Sequence, residues 1–352
     1  MNESKAHKKE EHPPKVTVLI VTVNAMKYLA DLMRSLFLQK FTDFHVLVID
    51  NNSEDDTVTF LRENYPTVTV LQNMKNLGLC KALNQGIRLS RSEYILVVDQ
   101  NVVLEKDVIH KLVQRMDDEL QIASSGGKVL KLTEAQDLGE RTETLQIASA
   151  GLRMLKNRNT LERGAGELDT NQYNMAETVF GFPFHLVMYR RSALHAVSLH
   201  CADSVEYFDQ DYFMYEADVD ISWRLLLAGW IAFYDPDIVS YYYQGGALAS
   251  RPRRIVRWSR YATSPEAFAL GYRNHILLLI KNEQWSTLAP ALFAVVRHEL
   301  AKLLYAIFFQ RKTLRALPQI RKMLSPAREK RKQVKKTMKV QPEEMLLWFG
   351  GK

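Results

Sequence analysis

Polar side chains that could contact a ligand follow one apolar run in an unusual order. The stretch ILVVDQNVVL (95–104) ends with one carboxylate, Asp99, and two amides, Gln100 and Asn101. Mg²⁺ and Mn²⁺ prefer charged oxygen ligands, of which this stretch offers one. The stretch is therefore a metal-binding apex, a damaged one, or only the end of a buried strand.

A second group of chemically active residues lies in the most acidic part of the chain, 207–230. Its acids are Asp209, Asp211, Glu216, Asp218 and Asp220. A helix that begins near Glu216 or Asp218 places these early acids at the positive end of its dipole, where negative charge is stabilised. The cluster therefore indicates either a functional site or the ordinary acidic start of a helix.

The elements that must position these groups alternate along the first 120 residues. Short runs rich in Val and Ile predict strands at 16–23, 44–50, 67–72 and 93–99. Apolar residues at helical spacing predict helices within 25–39, 53–64, 77–90 and 105–116. This order predicts an α/β fold with a mostly parallel central sheet and helices on both faces.

In such sheets, ligands bind beyond the carboxyl ends of the strands. The polar residues at these ends are Thr22, Asn24, Asp50, Asn51 and Asn52, then 73–78 and 99–101. They form one candidate site. No G-x-G-x-x-G follows the first strand, which argues against a dinucleotide cofactor.

Composition excludes several classes of protein. Hydrophobic residues make up 47% and charged residues 25% of the 352, which is typical of a globular chain. The two cysteines, Cys80 and Cys201, are too few for a disulfide framework. The polar residues 1–14 predict a disordered lead-in without a secretory signal, and hence a cytoplasmic protein.

Several motifs in one order resemble family 2 glycosyltransferases with a GT-A fold, and among them bacterial rhamnosyltransferase-like enzymes. These motifs are VTVLIVTVNAMKYL, VIDNNSEDDT, NMKNLGLCKALNQGI, YILVVDQN, YFDQDYFMYEADVDISWRLLLAGW and YYYQGG. The resemblance covers roughly 16–282. It implies an inverting transfer of a rhamnose-like sugar from a dTDP or UDP donor to a cell-surface glycan or lipid-linked acceptor.

The resemblance also assigns residues to the donor. The nucleotide-sugar candidates are Thr22, Asn24, Asp50, Asn52, Asn76, Gly78, Lys81, Asn84, Asp99 and Gln100. A carboxylate or amide at a strand end accepts hydrogen bonds from a pyrimidine imide or a ribose hydroxyl, and a helix N-terminus near Lys81 suits a diphosphate. Asp218 becomes the general base that takes the acceptor proton.

The match departs from the family pattern at the cation site and beside the base. Asn101 stands in place of the second carboxylate of a D-x-D-type motif, Tyr242 or Tyr243 in place of a histidine, and Ala217 in place of a glutamate. A Mg²⁺ or Mn²⁺ ion held by Asp99 and Asn101 is therefore expected to be weakly bound or dispensable. The remaining candidates for the diphosphate or acceptor are Arg253, Arg254, Arg257 and Trp223.

The C-terminal third combines apolar helices with a basic segment. Charged residues interrupt the apolar stretch 286–309, which favours an interfacial helix over a spanning one. Residues 311–339 contain 12 Lys and Arg and one acid. Basic residues beside an apolar helix attract anionic lipids, so the extension at 283–340 predicts peripheral attachment to the inner face of the cell membrane, followed by a tail at 341–352. The alternative is a helical hairpin with a solvated basic tail.

Two other functions stay open. A catalytically weak or inactive relative could bind nucleotide sugar or glycan within an assembly. A nucleotidyltransferase is disfavoured because no glycine- and lysine-rich phosphate loop lies near the N-terminus, and nucleic-acid binding is not expected because no known module accompanies the basic segment. Loss of turnover in Asp218→Asn separates the enzyme from the binder.

Overall fold

A ten-stranded mixed sheet forms the centre of the protein. The computed structural model describes residues 12–132, 145–201, 204–243 and 264–350. The segment with Arg253, Arg254 and Arg257 and most of the predicted lead-in lie outside these residues. The strands are β1 (Val16–Thr22), β2 (Phe44–Asp50), β3 (Thr69–Gln72), β4 (Tyr94–Asp99), β5 (Val102–Leu104), β6 (Ile122–Leu132), β7 (Ile147–Ser149), β8 (Leu152–Met154), β9 (Thr160–Glu162), β10 (Glu177–Val179), β11 (Leu186–Arg190), β12 (Leu199–Cys201), β13 (Ser204–Glu206) and β14 (Ile231–Tyr243).

The strand order across the sheet is β10-β14-β6-β11-β4-β1-β2-β3, with β5 paired to β14 and β7 paired to β6. Strands β1, β2, β3, β4, β6 and β14 all run in the same direction. The reversed strand β11 lies between β4 and β6. The prediction of a mostly parallel sheet is confirmed, and the ends of β1, β2 and β4 meet at one edge.

Helices cover both faces of the sheet, as the alternating sequence pattern predicts. The helices are α1 (Met26–Phe37), α2 (Thr57–Asn64), α3 (Leu79–Leu89), α4 (Val108–Asp118), α5 (Arg191–Ala196), α6 (Ala217–Leu227), α7 (Pro265–Asn282), α8 (Trp285–Leu288), α9 (Leu292–Phe309), α10 (Ala316–Thr337) and α11 (Pro342–Leu346). Val18 and Ile20 of β1 pack with α1 and α4, whereas Leu19 faces α3 and α6 on the other side. The period-two alternation of a strand produces this division.

The C-terminal helices pack against the α/β part. Leu277 and Leu278 of α7 and Ala327 and Val334 of α10 belong to the same buried core cluster as α3 and α6. Helix α7 ends at Asn282, and the domain boundary at this position stays a prediction. Within the described part of the chain, none of the helices is long and apolar enough to span a bilayer.

A buried ion cluster joins α10 to the acidic segment that precedes α6. The Lys330 ammonium lies 3.0 Å from Glu206, 2.5 Å from Asp209 and 2.9 Å from Asp211. Lys281 of α7 reaches the other oxygen of Asp209. Burial acts to raise the pKa of Asp209, but the two ammonium groups outweigh it and hold that pKa well below its usual range. The cluster therefore contributes stability only while Asp209 is charged.

Replacing Lys330 by Met should destabilise the fold strongly. The change leaves Asp209 and Glu206 buried with one ammonium fewer, and breaking a buried pair in this way costs about 3–5 kcal/mol. Urea unfolding at neutral pH measures the loss. The matched control is Lys332→Met on the same helix, which removes only an exposed pair with Glu329 and should change stability by less than about 1 kcal/mol.

The difference between Lys330→Met and the wild type should also depend on pH. Because the pKa of Asp209 is lower in the folded state than in the unfolded chain, its contribution is fully present above about pH 4 and is lost as the pH falls towards the folded pKa. Equal stability losses in the two lysine variants, or a difference that does not shrink on acidification, would contradict this account of the cluster.

Candidate active site

The carboxyl ends of β1 and β2 carry the first group of candidates. The Thr22 hydroxyl donates to Asp50 across 3.0 Å, and the Ser53 backbone N–H donates to the other oxygen of Asp50 across 3.0 Å. Thr22 and Asp50 are fully buried, so their polar atoms hold the strand ends together. Asn24 and Asn52 are exposed with φ of 49° and 69°, the left-handed region that asparagine tolerates better than most residues. These two amides form the accessible part of this edge.

The N-terminus of α3 supplies the second group. The Asn76 side chain accepts from the Gly78 N–H at 2.9 Å, which shapes the turn before the helix. Gly78 has φ of 84°, and a Cβ there would lie 2.4 Å from the Phe213 ring, so only glycine fits. Lys81 is exposed in the first turn. The dipole of a helix N-terminus and the positive charge of Lys81 suit a diphosphate.

The turn at Gly78 touches the segment that leads to Asp218. The Cys80 N–H donates to the Phe213 carbonyl at 3.2 Å. One turn further along α3, the Asn84 amide oxygen accepts from the N–H groups of Tyr207 and Phe208 at 3.0 Å, and its nitrogen donates to the Phe208 carbonyl at 2.7 Å. Asn84 is fully buried. The structure therefore places it as a positioning residue for the acidic segment and not at the accessible edge with Asn24.

The approach to α6 is a strained loop. Phe213, Tyr215 and Glu216 all have φ near 60°, which costs energy for residues with a side chain. Asp218 follows in the first turn of α6 with a buried carboxylate that accepts from the Val219 N–H at 2.9 Å. A structure that holds three such residues must compensate the strain elsewhere.

Asn274 of α7 supplies this compensation. Its amide nitrogen lies 2.9 Å from the Tyr212 carbonyl, 2.6 Å from that of Met214 and 3.0 Å from that of Tyr215. The neighbouring Arg273 donates to the Asp211 carbonyl at 2.8 Å. Sequence reasoning missed both residues. Their one signal is a polar pair inside an otherwise apolar helical pattern, which does not reveal a partner some 60 positions away.

Asp220, one of the predicted acids, is also committed to internal contacts. It is fully buried, with Arg224 at 2.9 Å, Lys281 at 2.8 Å and Asn282 at 2.8 Å. Asp209 and Asp211 contact Lys330 in the ion cluster. Asp218 lies in the first turn of α6, together with Asp220. It also has electrostatic contacts within the fold.

The end of β4 is surrounded by aromatic and imidazole groups. The Asp99 carboxylate accepts from the Asn101 N–H at 2.9 Å, and the His185 and Tyr242 rings lie beside it with centroids 4.4 Å apart. The His185 Nε2 atom is 3.2 Å from Glu162. Burial raises the pKa of Asp99, although the His185 charge and the Asn101 N–H act to lower it. Burial and the Asp99 charge also raise the pKa of Tyr242.

These residues do not fit a tightly bound divalent cation. Asp99 offers one carboxylate whose charge burial disfavours, and beside it lie the Asn101 amide, the Tyr242 phenol and the His185 ring, which already contacts Glu162. Across the described residues, no group of three or more His, Cys, Asp and Glu side chains is arranged to hold an ion. The following segment, 244–263, contains none of these four residue types. The expectation of a weak or dispensable cation stays a prediction.

Gln100 and Trp223, which are also predicted to contact a ligand, make contacts within the protein. Gln100 bridges β4 to β1, because its amide oxygen accepts from the Val23 N–H at 3.0 Å. Trp223 is 1% exposed and packs edge-on against Phe180 and Phe349, with ring centroids 6.4 and 5.3 Å away. The proposed contact of Trp223 with an acceptor is therefore corrected to a role in the core, since its position on the apolar stripe of α6 turns it inward.

The parallel strand ends, the α3 N-terminus and the helical C-terminal region define an α/β protein of GT-A architecture. A family model for glycosyl transferase family 2 matches residues 17–197, about half of the chain. The chain belongs to this family. The family identified from the sequence motifs and the GT-A fold are thus confirmed, whereas the rhamnosyltransferase-like subtype stays a prediction.

Known proteins agree with this assignment. Poly-beta-1,6-N-acetyl-D-glucosamine synthase of Staphylococcus aureus is 23% identical over 248 residues, 70% of this chain and 54% of that protein. The chain therefore spans about half the length of the curated relatives it matches. S. aureus TarS 1–349 in complex with UDP-GlcNAc matches at TM-score 0.53 and 16% identity over 92% of this chain and 90% of that one. Mannosyltransferase PcManGT from Pyrobaculum calidifontis, in complex with GDP-Man and Mn²⁺, matches at TM-score 0.50 and 15% identity. This match covers 96% of this chain and 88% of that one. The two structures show the fold.

Replacing Asn274 by Asp should displace the loop before Asp218 without removing residues that are predicted to contact the nucleotide sugar. The change keeps the shape but replaces an NH₂ group, which has two hydrogens and faces three carbonyls, by a carboxylate oxygen that can only accept hydrogen bonds. A misplacement of about 1 Å in a catalytic group costs on the order of 100-fold in rate, so donor hydrolysis should fall in kcat by about that factor while the donor KM changes little.

The control for this change is Asn64→Asp, at an exposed position of α2. Its kcat should match the wild type. If Asn274→Asp kept kcat within twofold, or raised KM and left kcat intact, Asn274 would not position the loop.

Proposed function

We propose that this protein is an inverting glycosyltransferase that moves a hexosyl unit from a nucleoside diphosphate sugar to a glycan or lipid-linked acceptor. The observation that supports it most directly is the contact between two distant motifs. The turn at Gly78, suited to a diphosphate, touches Phe213, which begins the loop to Asp218. An anion site beside a carboxylate is what a displacement at an anomeric carbon requires.

Asp218 is the general base in this proposal. Its carboxylate takes the proton of the acceptor hydroxyl as that oxygen bonds to the anomeric carbon. The bond from this carbon to the diphosphate oxygen breaks, and the nucleoside diphosphate leaves with the electron pair. Because the acceptor attacks from the face opposite the leaving group, the anomeric configuration inverts. The fixed loop before α6 keeps the carboxylate oriented during the step.

The donor spans the sheet edge. The pyrimidine and ribose of a UDP or dTDP sugar lie at the ends of β1 and β2, where Asn24 and Asn52 present exposed amides. The diphosphate lies at the N-terminus of α3, near Asn76 and Lys81. The UDP-GlcNAc complex of TarS and the GDP-Man complex of PcManGT support a nucleotide-sugar donor. The resemblance noted in the sequence favours a rhamnose-like sugar.

The charge of the leaving group is neutralised mainly by the protein. PcManGT carries Mn²⁺ with its donor, but Asn101 and Tyr242 replace the ligands such an ion needs here. The arginines that follow β14 in sequence are suited to pairing with phosphate oxygens: Arg253, Arg254 and Arg257. The end of β14 is hydrogen-bonded to this apex, through the Tyr243 N–H and the Asn101 carbonyl at 2.9 Å.

Polysaccharide synthesis is the setting that fits best. The S. aureus relative is a poly-beta-1,6-N-acetyl-D-glucosamine synthase, which supports a glycan as the acceptor class. Donors of this kind are made in the cytoplasm, so transfer occurs at the inner face of the cell membrane when the acceptor is lipid-linked.

Replacing Asp218 by Asn should abolish turnover and leave donor binding intact. General-base catalysis contributes about 100- to 10,000-fold, and the amide cannot accept the proton. We expect donor hydrolysis or transfer to fall by that range, with an unchanged Kd for UDP or dTDP sugars by calorimetry. The control is Asp118→Asn at an exposed position of α4, on the other face of the sheet.

A rate in Asp218→Asn within threefold of the wild type would contradict the assigned base. The wild type could instead bind the nucleotide sugar without turning it over with any acceptor or cation. In that case the protein is a catalytically weak or inactive relative, in which Ala217 and Asn101 replace acids of the family pattern.

The reaction should depend little on added cation. Donor hydrolysis by the wild type is expected to change less than twofold in EDTA, because Asp99 is the one carboxylate of the predicted pair of cation ligands and Asn101 supplies only an amide. Asn101→Asp restores a second carboxylate and should make the rate respond to Mn²⁺. An Arg253, Arg254 and Arg257 triple Ala variant should be slower with or without cation. Wild-type activity abolished by EDTA and restored only by Mn²⁺ or Mg²⁺ would overturn this view.

A further inference from the structure

Helix α9 buries charged residues on its inner side and exposes most of its large apolar residues. Surface helices of globular proteins usually show the opposite arrangement. The inner side contains Val295 and Ala306 and also Lys302, which is buried and lies 3.0 Å from Glu299. Glu299 in turn lies 3.2 Å from His275 of α7. Two charges of α9 are thus engaged in internal contacts, whereas Arg297 is exposed.

The outward side of α9 is a continuous apolar stripe. Its members recur at helical spacing and are all exposed: Phe293, Val296, Leu300, Leu304, Ile307 and Phe308. Phe293 is 81% exposed and Phe308 is 69% exposed. Single exposed apolar residues need no explanation, but two aromatic and four aliphatic side chains in one line mark an interaction surface. We call these six residues the α9 stripe.

Cations border the α9 stripe. Arg297 is exposed within the helix, and Arg311, Lys312 and Arg315 are exposed in the turn that follows Phe309. Between 292 and 322 the single acid is Glu299, which is already paired with Lys302. An apolar band rimmed by positive charge is complementary to a surface that offers hydrocarbon beneath anionic groups.

A second copy of the chain is a poorer occupant. An isologous contact through the α9 stripe brings each stripe residue against its counterpart and sets the bordering cations of one copy near those of the other. Lys312 is offset by Glu266, 3.2 Å away, but Arg297, Arg311 and Arg315 would still face like charges on the other copy. A helix of 18 residues, about 27 Å long, is instead well suited to lie in the plane of a bilayer surface.

We propose that the α9 stripe docks this protein on an anionic lipid membrane, with Arg297, Arg311, Lys312 and Arg315 contacting the headgroups. The inner side of the same helix reaches His275, whose ring lies 3.9 Å from Glu216, two residues before Asp218. The docking helix is therefore linked, through His275, to the segment that leads to the candidate base. This arrangement places the site close to the membrane plane, where a lipid-linked acceptor resides.

Co-sedimentation with vesicles tests the proposal. The full chain is mixed with vesicles of phosphatidylcholine alone or of phosphatidylcholine with phosphatidylglycerol. We expect binding to the anionic vesicles that is at least tenfold tighter than to the neutral ones and weakens with salt. The triple variant Phe293→Ser, Leu300→Ser and Phe308→Ser should lose at least tenfold in affinity. The variant Arg311→Gln, Lys312→Gln and Arg315→Gln should lose its preference for anionic lipid.

A matched triple variant removes exposed apolar residues outside α9: Leu120→Ser, Leu168→Ser and Met175→Ser. It should bind vesicles like the wild type, and circular dichroism verifies that all variants are folded. The proposal would be overturned if the wild-type protein did not bind anionic vesicles, or if the stripe variant bound them as tightly as the wild type. A wild-type dimer in sedimentation velocity that the stripe variant converts to a monomer would also overturn it.

Membrane docking is independent of the proposed transfer reaction in this test. Asp218→Asn should bind vesicles as the wild type does, because the carboxylate lies in α6 and not on the α9 stripe. Loss of turnover with retained vesicle binding therefore bears only on the catalytic proposal, and the converse result bears only on docking.

Discussion

The buried contact of Asp209 with Lys281 and Lys330 is the interaction on which the rest of the site depends. It ties the acidic segment before α6 to two helices from the C-terminal part of the chain. Two ammonium groups around one carboxylate are unfavourable to bury unless further acids are present, and Glu206 and Asp220 provide them. Removing any one charge leaves the others without compensation, so the segment has one stable arrangement.

That arrangement supports a strained loop. Backbone conformations near φ of 60° at Phe213, Tyr215 and Glu216 persist because Asn274 binds the adjacent carbonyls and the ion cluster fixes both sides. The C-terminal helices are therefore part of the catalytic architecture and not an appendage to it. Helix α9 is connected to the same part of the protein, since its inner side contacts α7 while the six residues of the α9 stripe are exposed.

Much of the fold follows from local patterns in the sequence. Alternating Val- and Ile-rich strands and amphipathic helices predict the parallel sheet, and a parallel sheet predicts that Thr22, Asp50 and Asp99 end at one edge. The roles of Asn84 and Trp223 do not follow, because they depend on packing between distant segments. Asn84 binds the backbone at 207 and 208, and every residue of α6, including Trp223, is buried. The contacts of Asn274 and Lys330 join residues 60 to 120 positions apart, and no local pattern encodes such pairs.

The central claim is that the α3 N-terminus and the loop held by Asn274 form two sides of one donor site. A crystal structure of the protein with UDP or dTDP tests it most directly. The account predicts the diphosphate at the N–H groups beside Gly78 and the nucleoside at Asn24 and Asn52, with Asp218 facing the open side of the diphosphate. A nucleotide bound away from the α3 N-terminus, or an Asp218 carboxylate separated from it by the core, would contradict the claim.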